Sequence, residues 1–149
     1  MRISVGSRTY DLTTRALVVA AHGPADELVE HGADIVAVPG GSGSVPAYAT
    51  VPGPGLVRLT APTADLLKQS AEAGGTVVVP AAWVDAAAAA GLSPDRIVPD
   101  TLFLDVTTSD CVVAATAVGV VRGARIILTT DVRGARRICD VLAAVLEAR

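Results

Sequence analysis

The sequence predicts an α/β fold built on parallel strands, because short apolar strand-like runs alternate with helical segments along most of the chain. Hydrophobic residues make up 51% of the sequence and aromatic residues only 3%, so the core must be built from Val, Ala, Leu and Ile. That composition suits closely packed parallel strands covered by alanine-rich helices. A length of 149 residues indicates one domain spanning 1–149 with a single core.

The predicted elements begin with a β-hairpin at 2–12, in which two short strands flank Gly6–Ser7. Further segments are predicted as strands at 15–20, 34–39, 56–60, 76–80 and 125–130, and as helices at 23–33, 63–75, 82–92, 110–122 and after 130. The remaining segment, 96–106, contains either one strand broken at Pro99 or two strands with almost nothing between them.

Residues with known preferences for helix ends mark several of these boundaries. Pro24 stands near the first turn of the helix at 23–33. Thr63 is the expected N-cap of the next helix, and Gly74 is its expected stop. The closing helix has an apolar face at i, i+3 and i+4 spacing, formed by Ala135, Ile138, Leu142, Val145 and Leu146.

Two closures fit a chain of right-handed β/α units: an open doubly wound sheet, or a barrel. A complete eightfold β/α barrel takes about 250 residues and rarely fewer than about 200. Length alone therefore favours the open doubly wound sheet, but this reasoning does not exclude a barrel.

Charge and cysteine usage bear on partners and on location. The net charge of −3 lacks the basic footprint that is typical of nucleic-acid binding. The longest apolar run, 111–121, is far shorter than the roughly 20 residues of a membrane span, and no signal peptide is recognisable. Cys111 and Cys139 lie in apolar helical segments without metal-ligand spacing, so we expect core thiols in a reducing cytoplasm, with no metal and no cofactor.

Four segments, in order, resemble dihydropteroate synthase, the pterin-binding barrel enzyme of folate synthesis. Residues 2–20 resemble the opening hairpin and first barrel strand of that family, and "ELVEHGADIVAVPGGSG" (27–43) is similar to its "EGADIIDVGGES". "AGLSPDRIVPD" (90–100) is similar to "GIPPERIVLDPG", and "VVRGARIILTTDVRGARRICDVLAAV" (120–145) to "ARGARIVRVHDV" with the final helix. The resemblance covers about two-thirds of the chain. It implies a reduced or incomplete TIM-like barrel of about six or seven parallel strands, with an N-terminal β-hairpin.

Several of the family's functional positions are changed. Its "NVTPDSF" loop has no counterpart after Ala20–Ala21, and "DVTTSD" (105–110) replaces its lysine-bearing loop. The positions at which the family has an aspartate, an asparagine and an Arg-x-His pair correspond here to Leu59, Val79, and Leu128 with Thr130. The resemblance therefore implies a chain that has lost most of the charged groups of the synthase.

The remaining candidates for ligand binding are Asp100, Ser42, Thr130 and His22. The resemblance matches Asp100 to the family's pterin-binding aspartate and Ser42 to the serine of its glycine-rich loop, where Ser44 replaces an arginine. Thr130 ends the predicted strand at 125–130 and His22 comes just after the one at 15–20, so both lie at the carboxyl edge, where such folds bind ligands. Simpler interpretations stay open, since Thr130 can cap the last helix together with Thr129, and His22 can be an exposed loop residue.

Two further aspartates and one loop are weaker candidates. Asp105 and Asp110 also follow predicted strand ends and could hold a pterin edge or a divalent cation, although "TTSD" before an apolar run is also an N-cap signal. The loop "PGGSGSVP" (39–46) lacks the G-x-G-x-x-G spacing of a phosphate-binding loop and is more typical of a flexible rim.

The synthase reaction displaces pyrophosphate, and deleting one group that stabilises the developing charge typically costs about 10²–10³ in rate. We therefore predict a dihydropteroate synthase-like protein without ordinary synthase activity, which binds a pterin or another small heterocycle or is simply non-catalytic. The first alternative is an enzyme with altered chemistry that uses Asp100, His22 or the threonines. The second is a structural or regulatory partner of a full-length relative.

The helix at 110–122 is apolar nearly all round, so both of its faces are predicted to be buried. A barrel sheet covers only one of them. The corresponding region of the resembled family takes part in dimerisation. We therefore expect a homodimer through the 110–122 region.

Overall fold

The computed structural model describes residues 1–39, 41, 43 and 45–147. The chain opens with the antiparallel hairpin of β1 (Arg2–Val5) and β2 (Arg8–Asp11). Its turn uses Gly6 at φ 58, a left-handed conformation that glycine adopts without steric cost. The predicted hairpin is thus confirmed.

In the described part of the chain, eight parallel strands follow in two four-stranded sheets, with the orders β4–β3–β10–β9 and β5–β6–β7–β8. Their bounds are β3 Leu17–Ala20, β4 Ile35–Val36, β5 Tyr48–Ala49, β6 Leu56–Arg58, β7 Thr76–Val79, β8 Ile97–Pro99, β9 Phe103–Asp105 and β10 Ile126–Thr129. The expected six or seven strands are too few. The two-residue strand β5 is hidden among prolines and glycines, and the 96–106 segment holds two strands.

The strands follow one another in chain order across both sheets, but the ring that they form is open. A parallel bridge between Val36 and Ala47, with the Val36 N–H donating to the Pro46 carbonyl at 3.1 Å, links the sheets at β4 and β5. Within the described residues no pairing joins β8 to β9, which are separated by the three-residue turn Asp100–Leu102. The shortest link between paired parallel strands in this fold is the six residues between β5 and β6, and three residues are too few to return the chain beside β8. The parallel α/β class is confirmed, and the sheets do not form a closed barrel.

Five α-helices, counted over the residues that the structure describes, cover the outside of the sheets. They are α1 Ala25–Glu30, α2 Ala64–Glu72, α3 Val84–Ala89, α4 Val112–Val121 and α5 Val132–Glu147. The Thr63 hydroxyl accepts the Leu66 N–H at 3.2 Å, and Gly74 at φ 72 follows the end of α2, so both predicted ends of this helix are confirmed. No α-helix of the described chain bridges β4 to β5, β5 to β6 or β8 to β9, which accounts for the short chain.

Both sheets bury alternate residues in one shared interior. The strands contribute Leu17, Val19, Ile35, Leu56, Val78, Val98, Ile126 and Leu128, and the hairpin contributes Ile3, Val5 and Leu12. The hairpin lies across the amino ends of the strands, where the Thr76 hydroxyl donates to the Ser4 carbonyl and Arg96 donates to the Gly6 carbonyl at 3.2 Å. The carboxyl ends of the strands are therefore the free end of this interior.

Within one copy of the chain, the helix predicted to be buried all round is buried on one side only. In α4, Thr116 and Val120 are buried, whereas Val113, Val118 and Val121 are 44%, 51% and 68% exposed. A helix on the outside of a sheet packs only its inner face against that sheet. Because α4 is apolar on all sides, its sequence does not show what covers its outer face. Across the described part of the chain, no helix is both long and apolar enough to cross a membrane.

The two cysteines have different environments. Cys139 is buried at 1% exposure, and burial raises the pKa of its thiol, so this prediction of a core thiol is confirmed. Cys111 is exposed, and the same prediction is wrong for it. It precedes the first turn of α4, outside the part of the helix that packs against the sheet.

A buried ion pair ties α5 to the residue before β4. Arg136 and Asp34 are 8% and 9% exposed, and the Arg136 Nη1 lies 2.7 Å from the Asp34 Oδ2. The same carboxylate oxygen accepts the Val18 N–H at 2.9 Å. Arg136 also donates to the Ala16 carbonyl and the Asp140 carboxylate, each at 3.0 Å. The polar atoms of this buried pair are thus satisfied by partners from three segments of the chain.

Candidate functional site

The carboxyl edge of the strands is the natural place for a ligand site in a parallel β/α fold. The last residues of the eight strands are Ala20, Val36, Ala49, Arg58, Val79, Pro99, Asp105 and Thr129. Only Arg58 and Asp105 among these eight are charged. They stand on β6 and β9, which belong to different sheets.

Arg58 and Asp105 contact each other across the open end of the interior. The Arg58 Nη1 lies 3.5 Å from the Asp105 Oδ2, and the two side chains are 31% and 36% exposed. The other carboxylate oxygen of Asp105 accepts the Thr107 N–H at 2.9 Å and the Thr107 hydroxyl at 2.6 Å. The two strand-end charges therefore neutralise each other and are fixed in place.

Two aromatic rings complete this arrangement. The Arg58 guanidinium carbon lies 4.6 Å from the centre of the Phe103 ring, at the distance of a cation–π contact. Tyr48 stacks on Phe103 with the ring centres 6.1 Å apart and the planes 17° apart. Burial raises the pKa of Tyr48, while the nearby Arg58 charge opposes that shift. We call Tyr48, Arg58, Phe103 and Asp105 the mouth cluster, because their side chains meet at the open end of the interior.

The Asp105 carboxyl has a pKa below its usual value. Burial alone raises this pKa, but the Thr107 hydrogen bonds and the Arg58 guanidinium together lower it by more. A depressed pKa in the fold contributes stability above the unfolded-state pKa of about 3.9, and this stability is lost as the pH falls through the folded pKa.

We therefore expect the Asp105→Asn variant to be less stable than the native chain near neutral pH, with a difference that shrinks below about pH 4. At acidic pH the native Asp105 becomes protonated and resembles the uncharged amide. Urea midpoints of both proteins between about pH 2 and about pH 7 measure this difference. A difference in stability that stays constant across this pH range would mean that the ionised Asp105 carboxylate does not stabilise the fold more than the protonated form.

The candidate ligand residues occupy the carboxyl edge without forming one cluster. His22 and Thr130 are exposed and follow β3 and β10, neighbouring strands in which Ala20 pairs with Thr129. Asp100 is exposed in the turn after β8, in the other sheet. Ser42 lies outside the described residues.

The cap suggested at Asp110 is wrong, and the alternative in which Thr129 and Thr130 cap the last helix holds only in that the Thr129 hydroxyl accepts an N–H just before α5. The Thr129 hydroxyl is buried and accepts the Asp131 N–H at 3.0 Å, and Asp131 in turn accepts the Gly134 N–H at 3.0 Å. Asp131 therefore caps α5, and Thr130 does not. Asp110 does not cap α4, because the N-cap residue of that helix is Cys111, which makes no capping hydrogen bond with its side chain. Several neighbouring residues before each helix have side chains that can act as an N-cap, and the local backbone conformation decides which of them does.

Of the mouth cluster, only Asp105 was a candidate in the sequence, and a weaker one; Tyr48, Arg58 and Phe103 were missed, although two signals point to them. Tyr48 and Phe103 are two of only four aromatic residues in the chain. Arg58 is the one cation within the apolar run 56–60. Leu59, compared above with an aspartate of the synthase family, is buried on the outer side of the sheet against α2 and α3, so Arg58 is the inward residue.

Among the described residues lie five cavities of about 190 to 480 Å³, and Phe103 is the one residue of the mouth cluster that lines any of these five. None of the five is lined by His22, Asp100 or Thr130. Among the described residues, no group of three or more His, Cys, Asp and Glu side chains is placed to hold a metal ion. The described carboxyl edge thus offers an internally paired cluster with three exposed polar residues around it.

Parallel strands in chain order around one interior, with helices outside and a hairpin across the amino ends, define a β/α-barrel-like protein. The chain has the fold of dihydropteroate synthase. The enzyme from Thermus thermophilus in complex with 6HMPPP matches with a TM-score of 0.78 and 17% identity over 98% of this chain and 99% of that chain. The 7,8-dihydropteroate synthase of Vibrio fischeri ES114 matches with a TM-score of 0.77 and 14% identity over 100% and 99%.

The Yersinia pestis enzyme with a pterin–sulfa conjugate matches with a TM-score of 0.76 and 13% identity over 100% of both chains. No protein-family profile matches the sequence, and the search of curated proteins also gives no match. The resemblance derived from four sequence segments is therefore confirmed at the level of the fold.

Proposed function

We propose that this chain is a non-catalytic protein with the dihydropteroate synthase fold, which makes no dihydropteroate and functions as a self-associating scaffold. The observation that carries this proposal is the mouth cluster. Arg58, the strand-end cation that could face a leaving group, is paired with Asp105 and lies over Phe103. A ligand ring entering the interior would have to displace these side chains.

The chemistry of the synthase supports the same conclusion. Displacing pyrophosphate requires groups that stabilise the charge developing on it. Leu59, Val79, Leu128 and Thr130, which take the places of polar or charged residues of that family, carry no charge. Releasing Arg58 for this role would break both its ion pair with Asp105 and its cation–π contact with Phe103, which opposes the rearrangement.

The exposed apolar face of α4 supports self-association. Val113, Val118 and Val121 each leave about half of the side chain or more in contact with solvent. Burial of apolar surface contributes about 25 cal/mol per Å², and contiguous exposed apolar patches mark interaction sites. A second copy of the chain offers the same patch, so a twofold-symmetric contact pairs α4 with α4. The free cysteines also fit the reducing conditions of the cytoplasm, where we place the protein.

We expect Val121→Lys to convert the dimer into a monomer, because it would bury a charge in the centre of an apolar interface. The matched control is Val51→Lys in the loop between β5 and β6, since Val51 is 65% exposed and Val121 is 68% exposed. Sedimentation-equilibrium masses of the three proteins measure the effect. A native chain that is monomeric at high micromolar concentration, or equal masses for the two variants, would rule out this interface.

A second candidate function is the binding of a pterin-like heterocycle at the rim, with Asp100 as the main contact; His22, Thr130 and Ser42 are the further contacts that the sequence suggests. The observation that favours it is the exposure of Asp100 in the turn where the ring of strands is open. A carboxylate accepts two hydrogen bonds from a guanidine-like edge. The names of two matched structures also include a pterin compound or 6HMPPP.

This second function is tested by a thermal-shift titration with pterins. Binding at about 100 times the dissociation constant adds about 2.7 kcal/mol, which raises the melting temperature by several degrees. We expect Asp100→Asn to abolish this rise and the control Asp110→Asn to retain it, since both aspartates are exposed. No rise in the native protein, or equal rises in both variants, would eliminate the rim site and leave the scaffold function.

A further inference from the structure

A cavity of about 200 Å³ lies at the amino ends of the strands, at the opposite end from the mouth cluster. It is formed between the C-terminal turns of α4 and α5, and its apolar wall consists of Ala16, Val120, Cys139, Ala143 and Leu146. An apolar cavity of about 150 Å³ is enough to hold a benzene molecule. The cavity therefore has room for a chain or ring of about six carbon atoms.

One cation at this cavity is not matched by a carboxylate. The Arg125 Nη1 donates to the Val120 and Ala124 carbonyls at 2.9 and 2.7 Å, which fixes the guanidinium beside the cavity. Among the described residues, Arg125 forms no ion pair. Arg15, the other arginine of the lining, is paired with Asp34 at 3.1 Å. Arg125 is therefore the group that remains available to an anion.

The other polar groups of the lining do not compete for an anion. The hydroxyls of Thr13 and Thr14 already donate to Asp11, so they can only accept further hydrogen bonds. Glu147, in the last turn of α5, is exposed and repels an anion weakly through solvent. An apolar pocket beside one fixed and unpaired guanidinium is suited to an amphipathic acid.

We propose that this cavity binds a short amphipathic carboxylate. The apolar chain of the ligand fills the space between α4 and α5, and its carboxylate pairs with the Arg125 guanidinium. The site is separate from the rim and does not depend on the proposed scaffold function.

The proposal is tested by NMR titrations of the labelled full chain with hexanoate, hexan-1-ol and hexylamine. We expect hexanoate to shift amide signals from the C-terminal turns of α4 and α5. Its dissociation constant should be at least about tenfold lower than that of hexan-1-ol, since a charge-assisted hydrogen bond contributes about this factor. Hexylamine should bind more weakly than hexan-1-ol.

Four variants separate the site from unspecific binding. Arg125→Met should weaken hexanoate binding by at least about tenfold, whereas Arg122→Met, at an exposed arginine nearby, should not. Ala143→Leu fills the cavity and should abolish binding of both hexanoate and hexan-1-ol. Glu147→Gln should leave hexanoate binding unchanged or tighten it. No hexanoate binding to the native chain, native-like binding by Ala143→Leu, or equal affinity for the acid and the alcohol would each overturn the proposal.

Discussion

Replacing Arg136 by methionine is expected to lower the free energy of unfolding by about 3 kcal/mol, the lower end of the cost of breaking a buried ion pair. The substitution keeps much of the apolar stem but takes away the closer of the two cations of the buried Asp34 carboxylate, which keeps only the more exposed Arg15 at 3.1 Å. The Ala16 carbonyl also loses a donor. Breaking one side of a buried ion pair costs the desolvation of the charge that remains. Urea unfolding followed by circular dichroism measures the effect.

Arg137→Met is the matched control, because Arg137 is the next residue of the same helix and is exposed. Its effect should stay within about 0.5 kcal/mol. A double variant that also carries Asp34→Asn should lose less than the sum of the single variants, since it removes the stranded charge. Equal effects of Arg136→Met and Arg137→Met would show that the buried pair does not hold α5 to the sheet.

Replacing Gly55 by alanine is expected to destabilise the fold by about 1–3 kcal/mol, by forcing apart the start of β6 and the segment that links the two sheets. A Cβ atom at this position would overlap the Ala47 carbonyl oxygen. That oxygen accepts the Leu56 N–H at 2.8 Å, and the Gly55 carbonyl accepts the Thr76 N–H at 3.0 Å, so the glycine is held from both sides. Thermal and urea unfolding measure the loss.

Gly53→Ala is the control within the same loop. The nearest atom to its added Cβ is the Val51 carbonyl oxygen at 3.9 Å, which is an ordinary contact. This variant should be neutral or slightly stabilising, because alanine restricts the unfolded chain. If Gly55→Ala were as stable as Gly53→Ala, the close approach of Gly55 to Ala47 would not be a constraint on the fold.

Features that depend on neighbouring residues could be predicted from the sequence. The α2 helix was identified with both of its ends, because Thr63 and Gly74 act on the backbone within a few residues. The buried strand β7 follows from an unbroken apolar run of β-branched residues. Four family-like segments then identified the fold, although identity to the matched enzymes is only 13–17%.

Features that depend on distant parts of the chain could not be predicted. Arg58 and Asp105 are far apart in sequence. They meet only because each is the last residue of its strand and both strands end at the same edge of the interior. The Arg136–Asp34 pair likewise depends on how α5 lies over the sheet. The exposed side of α4 could not be assigned, because a helix that is apolar all round carries no periodic signal to distinguish its faces.

An end-point assay for dihydropteroate tests most directly whether this chain has the synthase fold without the synthase chemistry. Purified protein at high concentration is incubated with the pterin pyrophosphate, p-aminobenzoate and magnesium, and the product is measured by mass spectrometry. The Thermus thermophilus enzyme serves as the positive control. We expect no product above the protein-free background, because Arg58 is engaged by Asp105 and Phe103. Product formation at a rate comparable with that of the control, retained after repeated purification, would contradict this conclusion.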